Sequence, residues 1–232
     1  MNTWPYTLRA GHSWNPADGA CAMDAINWLV HGKHGDRPEC ACRLMSDFVI
    51  GGNDTMPDDT RQRLLPYLHR IAGSRSEDHI VRRSRVLWLA AMRVFAPLAL
   101  DAAGRQGFAG LLRTVSDDVP FASAHFLATY VLKECRPTHS APMLPVEQVM
   151  NYVERSVREP WAAGSSVSQA IAWTAKLVPG PLVWDAYFVV LDEALSAGPQ
   201  GEPWSADVLH AADDLYRAAD GLVMAMPEGA AA

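Results

Sequence analysis

The feature that most narrows the fold of this chain is the spacing of its apolar residues, which recur every three or four positions and almost never alternate. Recurrence of that kind gathers side chains on one helical face, whereas a half-buried strand needs apolar and polar residues in alternation. Ala22, Ile26, Leu29 and Val30 illustrate the pattern near the start. Even the run DAYFVVLDEAL, strand-like at first sight, places Val183, Tyr187, Val190 and Leu191 on a helical face. The chain therefore reads as all-α, a helical bundle or an irregular stacked array of about 8–10 helices.

Proline and glycine mark the boundaries. A helix is expected over 19–30 with Asp18 as its cap, and a second over 41–49 that stops at Gly51-Gly52-Asn53-Asp54. Pro57-Asp58-Asp59 opens another, with carboxylates at the positive end of the helix dipole. Further helices are expected at 78–95, 96–115, 121–135, 145–158, 164–177, 181–196 and 203–224. Three parts result: a Cys/His motif region over 1–56 packed on the rest, a helical domain over 57–226, and a frayed tail over 227–232.

With 232 residues, 49% of them hydrophobic, the chain can bury roughly 70% of its unfolded surface without disulfides. A formal charge of −6 argues against a dedicated nucleic-acid binder. Arg82, Arg83, Arg85 and Arg93 in VRRSRVLWLAAMRV read as the solvated face of one helix. The start MNTWPYTLRAGHSWNP does not have the form of a secretory signal, and no apolar stretch reaches the roughly 20 residues of a membrane span. A cytoplasmic protein with reduced thiols is expected, and in that setting clustered cysteines favour metal binding or chemistry over disulfides.

Three cysteines and two histidines fall within GACAMDAINWLVHGKHGDRPECACRLMSDFVIGGND. One reading makes Cys21, His34, Cys40 and Cys42 the ligands of a structural zinc, with His31 able to replace His34; the chemistry suits zinc, but Cys40-x-Cys42 is not the usual C-x-x-C pair. Another makes Cys21, in the first turn of a helix, the nucleophile of a small hydrolase, with His34 as base and Asp36 beside it. The order Gly-x-Cys at a helix start looks faintly like papain-like cysteine hydrolases, although no aromatic residue follows Cys21 and Asp24 would oppose thiolate formation. In the third, Cys21 and Cys42 are packed small hydrophobes and His34-Gly35-Asp36-Arg37-Pro38 is an ordered loop.

The same block, followed by PDDTRQRLLPYL, resembles a group of bacterial and phage proteins with no established activity. They share Gly-x-Cys-x-Met-acidic-Ala, then His-x-Asp-x-Pro-x-Cys-x-Cys, then Asn-Asp before a Pro-Asp helix start. Cys21, Met23, Asp24, His34, Asp36, Pro38, Cys40, Asn53 and Asp54 match. The chain departs at Asp24, where glutamate is frequent, and at Arg43, where proline is usual. The resemblance covers about the first third of the chain and implies a shared local structure. Relatives with serine in place of Cys42 imply a ligand set of Cys21, His34 and Cys40, with Asp24 or Asp36 as the fourth.

No Walker A loop, GxGxxG, HExxH or GxSxG occurs. The expectation is a cytoplasmic helical interaction or regulatory protein of phage or mobile-element type, with a protein partner and neither membrane nor nucleic acid. Its Cys/His motif orders a loop and could hold zinc. The alternative is the hydrolase centred on Cys21 and His34.

Overall fold

The computed structural model describes residues 7–11, 19–136 and 144–201. The described residues are helical and contain no strand; Leu8 and Ala20 form an isolated bridge. In order, the helices are α1 (Ala22–His31), α2 (Arg43–Thr55), α3 (Asp58–Arg61), α4 (Leu68–Ala72), α5 (Ile80–Ala90), α6 (Ala96–Ala102), α7 (Gln106–Arg113), α8 (Phe121–Cys135), α9 (Pro145–Arg158), α10 (Ala163–Leu177) and α11 (Leu182–Ser196). None is long and apolar enough to cross a membrane. The expected tail and the helix over 203–224 lie outside the described residues, as does Asp18.

Helix α10 is the centre of the stack and packs between α9 and α2. Its first turns carry Ala163, Gly164, Ser166 and Ser168, small enough for close approach of backbones. A Cβ at Gly164 would lie 2.1 Å from the carbonyl oxygen of Leu44, and one at Gly51 would lie 2.1 Å from Ser168 Oγ. That contact corrects the expected end of α2. The helix runs through Gly51 and Gly52 to Thr55, because these glycines are where α10 and Tyr187 of α11 press against it.

A second correction concerns Pro97. The expected break near 95/96 is absent: α5 continues into α6 through a π-helical turn over Ala91–Phe95, in which the Ala96 N–H bonds to the Ala91 carbonyl. Proline lacks an N–H and crowds the carbonyl of the turn before it, and the wider turn relieves that crowding. The chain breaks instead at Gly104, whose φ of 72° suits glycine. Pro66 has a milder effect, turning the segment between α3 and α4 into a 3-10 helix over Gln62–Tyr67.

The arginine face of α5 is solvated only in part. Arg82 is exposed, but Arg83 is fully buried and donates to the carbonyls of Ser74, Ala194 and Pro199. It thereby ties the C-terminal turn of α11 and the segment after it to α5. Arg61 does the same for α2, with Nε 2.7 Å from the Asn53 carbonyl and Nη2 2.7 Å from that of Met56. A guanidinium is suited to this, because the last carbonyls of a helix have no intrahelical donor and carry partial negative charge.

Candidate functional site

The N-terminal motif forms a hydrogen-bonded cluster around one buried carboxylate. Cys21 is the N-cap of α1, in extended conformation, and its Sγ lies 3.3 Å from the Asp24 N–H that it accepts. The same Sγ is 3.3 Å from Asp24 Oδ2, to which the thiol donates. Asp24 is fully buried. Its Oδ1 accepts the Gly35 N–H at 3.1 Å and lies 3.6 Å from His34 Nε2. One helical turn on, Asn27 Nδ2 donates to the Gly35 carbonyl at 3.0 Å. Asp24 and Asn27, three apart and so on one face of α1, hold both backbone groups of the same glycine. Gly35 has a φ of 140° and no room for a side chain, since a Cβ would lie 2.9 Å from Asn27 Nδ2.

The far end of the loop is fastened to a different segment. Cys42 is the N-cap of α2; its thiol makes no capping bond, while its N–H donates to Ser74 Oγ at 2.9 Å. The Cys40 carbonyl accepts the Arg75 N–H at 3.2 Å, and Arg75 Nη1 donates to the Glu39 carbonyl at 3.0 Å. Asp36 sits half-buried at the bend between the two anchors. Thus Cys21 and His34 both meet Asp24, whereas Cys40 and Cys42 reach the segment after α4. Among the described residues, no three His, Cys, Asp or Glu side chains are grouped so as to hold a metal ion.

Electrostatics at Cys21 oppose a nucleophile. The start of a helix lowers a thiol pKa, and the N–H groups of Asp24 and Met23 do act in that direction. Burial acts more strongly the other way, the Asp24 charge adds to it, and the thiol is pushed far above its ordinary range. Burial likewise raises the Cys40 thiol, against a smaller lowering by the Arg75 charge.

Asn53 has a role the sequence did not reveal. Its Oδ1 accepts the Ala22 N–H at 3.2 Å, satisfying a donor that the first turn of α1 leaves free, and its Nδ2 donates to the Arg9 carbonyl at 2.9 Å. Asp54 Oδ1 accepts the Gly11 N–H at 2.9 Å. Gln62 completes the attachment by exchanging two 2.9 Å hydrogen bonds with the backbone of Leu8. The spacing of Asn-Asp before a Pro-Asp helix start was the only signal in the sequence, and it suggested a turn.

A second feature lies away from the motif. Helix α8 exposes aromatic side chains, Phe126 at 74% of its surface together with Phe121 and Tyr130, and α7 exposes Leu111. Tyr130 meets Phe108 of α7 edge-on at 6.2 Å between ring centroids, and Phe121 stacks on His125 at 6.4 Å. Comparison of the chain with protein-family models, curated proteins and solved structures finds no match.

Proposed function

We propose that this chain is a helical protein-interaction module that receives its partner on the α7–α8 face, with the Cys/His motif serving to order the loop between α1 and α2. The observation that carries the reading is Phe126, an aromatic ring left mostly in water, with the exposed Tyr130 one turn further along the same side of α8. Single exposed apolar residues are ordinary on a protein surface, but two large aromatic side chains one turn apart on one exposed side of a helix suit an interaction surface, because aromatic side chains dominate the centres of interfaces. Cys21 and His34, the pair on which the hydrolase reading is centred, both meet Asp24, with the thiol of Cys21 held protonated against it. That is the reason for preferring binding to the hydrolase reading. Zinc at the motif is not part of the proposal, since the hydrogen bonds of Asp24, Asn27 and Asn53 order the region without it. The resemblance of the motif to bacterial and phage proteins is the reason to seek the partner among such proteins.

The test is a photo-crosslinking amino acid placed at position 126 in cells that express the chain. The reading predicts a discrete protein adduct that disappears when Tyr130 is replaced by serine. Absence of any adduct at 126, with crosslinks forming equally at an exposed control such as Arg82, contradicts it.

A further inference from the structure

A groove between α5 and α11 is apolar along both walls. On α5, Val86, Leu89 and Ala90 recur at helical spacing on one side, and the π-helical turn that follows brings Val94 into the same line. On α11 the wall is Ala186 and Val189. Val189 is 58% exposed, and Leu182, seven residues before it and so on the same side of α11, is 54% exposed. The described chain ends at the mouth of this groove. Arg83, three residues before Val86, donates to the carbonyl of Ala194, next to Glu193 at the groove's edge, and to that of Pro199 at 2.7 Å. Gly201 then donates to the Arg70 carbonyl at 3.4 Å, and Arg70 itself reaches Asp192 of α11. We infer that the groove is the seat of this chain's own segment 203–224, which turns back from Gly201 and lies in it as an amphipathic helix, parallel to α5 and antiparallel to α11.

The sequence after Gly201, EPWSADVLHAADDLYRAADGLVMAM, sets Trp204, Val208, Ala211, Leu215, Ala218 and Leu222 at alternating steps of four and three. That spacing makes one narrow apolar stripe, of the width that seats in a seam between helices. A helix in a protein draws most of its stability from burying such a stripe. The lengths agree. At about 1.5 Å per residue, Trp204 to Leu215 spans about 16 Å and Val86 to Val94 about 12 Å, so the first half of the stripe covers the groove and the second half extends toward Leu182. Three residues, about 10 Å of extended chain, carry the backbone from Gly201 to Trp204. Charge agrees as well: the segment after Gly201 holds Glu202, Asp207, Asp213, Asp214 and Asp220 against Arg217. In the groove, Arg93 pairs with Asp117 and Arg113 with Asp101, while Glu193 stands on the α11 side. Arg82, exposed one turn before Val86 on the same side of α5, is placed at the entry, where Asp207 in the first turns of the segment meets it.

Amide hydrogen exchange of the full chain tests the inference. Amides of 207–222 are expected to exchange at least about tenfold more slowly than those of an unstructured chain, and Val189→Glu to abolish that protection while α9 and α10 keep theirs. Val189 is exposed, so the substitution puts its charge into the groove without entering the core. A photo-crosslinking amino acid at position 189 supplies a second measurement, expected to give an adduct within one chain that maps to 204–222. Absence of protection over 207–222 overturns the inference, as does protection that Val189→Glu leaves intact. An adduct at 189 that joins two chains, or that maps elsewhere, overturns it too.

Discussion

The Cys21 thiol and the Asp24 carboxylate bind each other in both directions at the first turn of α1: Sγ accepts the Asp24 N–H and donates to Asp24 Oδ2, each at 3.3 Å. The arrangement works as a helix cap while making the thiol a poor nucleophile. It also leaves the other carboxylate oxygen free to hold Gly35.

Stability should respond to Cys21 as to a cap. Cys21→Ala is expected to cost about 1–2 kcal/mol, and Cys21→Ser, whose hydroxyl can cap, much less. Urea unfolding of the two variants checks this. Equal losses would mean that packing of the sulfur, and not its hydrogen bonds, is what matters.

The pH dependence follows from the same group. Its pKa in the folded protein lies above the ordinary thiol value of 9.0, so the folded state keeps the proton where the unfolded state loses it. Stability from this group is complete below about pH 8 and falls as pH rises past the unfolded thiol value. Tyr187, buried and similarly raised, adds to the alkaline loss. Comparing the alkaline slope of the urea midpoint in wild type and Cys21→Ser isolates the thiol; the variant should fall less steeply.

Glycines in two helices should respond with opposite sign. Alanine is favoured over glycine within a helix by roughly 0.5–1 kcal/mol. At Gly107 and Gly110 of α7 a Cβ meets nothing within 4 Å, so Gly107→Ala and Gly110→Ala should each raise stability by about that amount. At Gly52 a Cβ would lie 2.5 Å from the Tyr187 ring, and overpacking of about 1–3 kcal/mol should outweigh the helix preference. Thermal unfolding of Gly52→Ala and Gly107→Ala gives the two signs directly.

Those glycines also mark what the sequence could and could not disclose. Periodicity located α8 and α9 at their observed bounds, 121–135 and 145–158, because each is amphipathic and bounded by proline or a polar turn. It stopped α2 short at Gly51-Gly52, since a glycine that ends a helix and one that admits a neighbouring helix look alike until α10 and Tyr187 are in place. Arg83 sits in an arginine-rich stretch and reads as solvated; only the return of α11 past α5 supplies the carbonyls that bury it. In the motif, the opposition of Asp24 to a Cys21 thiolate was legible from helical spacing. The capture of Gly35 by Asp24 and Asn27, and of the Ala22 N–H by Asn53, depends on loop geometry and long-range packing that spacing does not encode.

Arg83 should be among the least replaceable residues. Arg83→Ala leaves the buried carbonyls of Ser74 and Ala194 without this donor, at about 1–3 kcal/mol for each orphaned group, and also frees the partly buried carbonyl of Pro199. A loss of at least about 3 kcal/mol is expected, and Arg83→Lys should recover little of it, because one ammonium cannot reproduce the fixed fork of a guanidinium. Urea midpoints measure both; full recovery by lysine would show that charge alone matters there.

The most direct test of the central claim, that the Cys/His motif is a hydrogen-bonded loop anchor built on Asp24, is thermal unfolding of wild type and Asp24→Asn with and without a chelator. The account predicts a Tm that the chelator leaves unchanged in both. It also predicts a fall of several degrees in Asp24→Asn, as about 2 kcal/mol would give for a chain of this size. A wild-type Tm that drops on chelation, with Asp24→Asn no less stable than the chelated wild type, would contradict the account and make the motif a metal site.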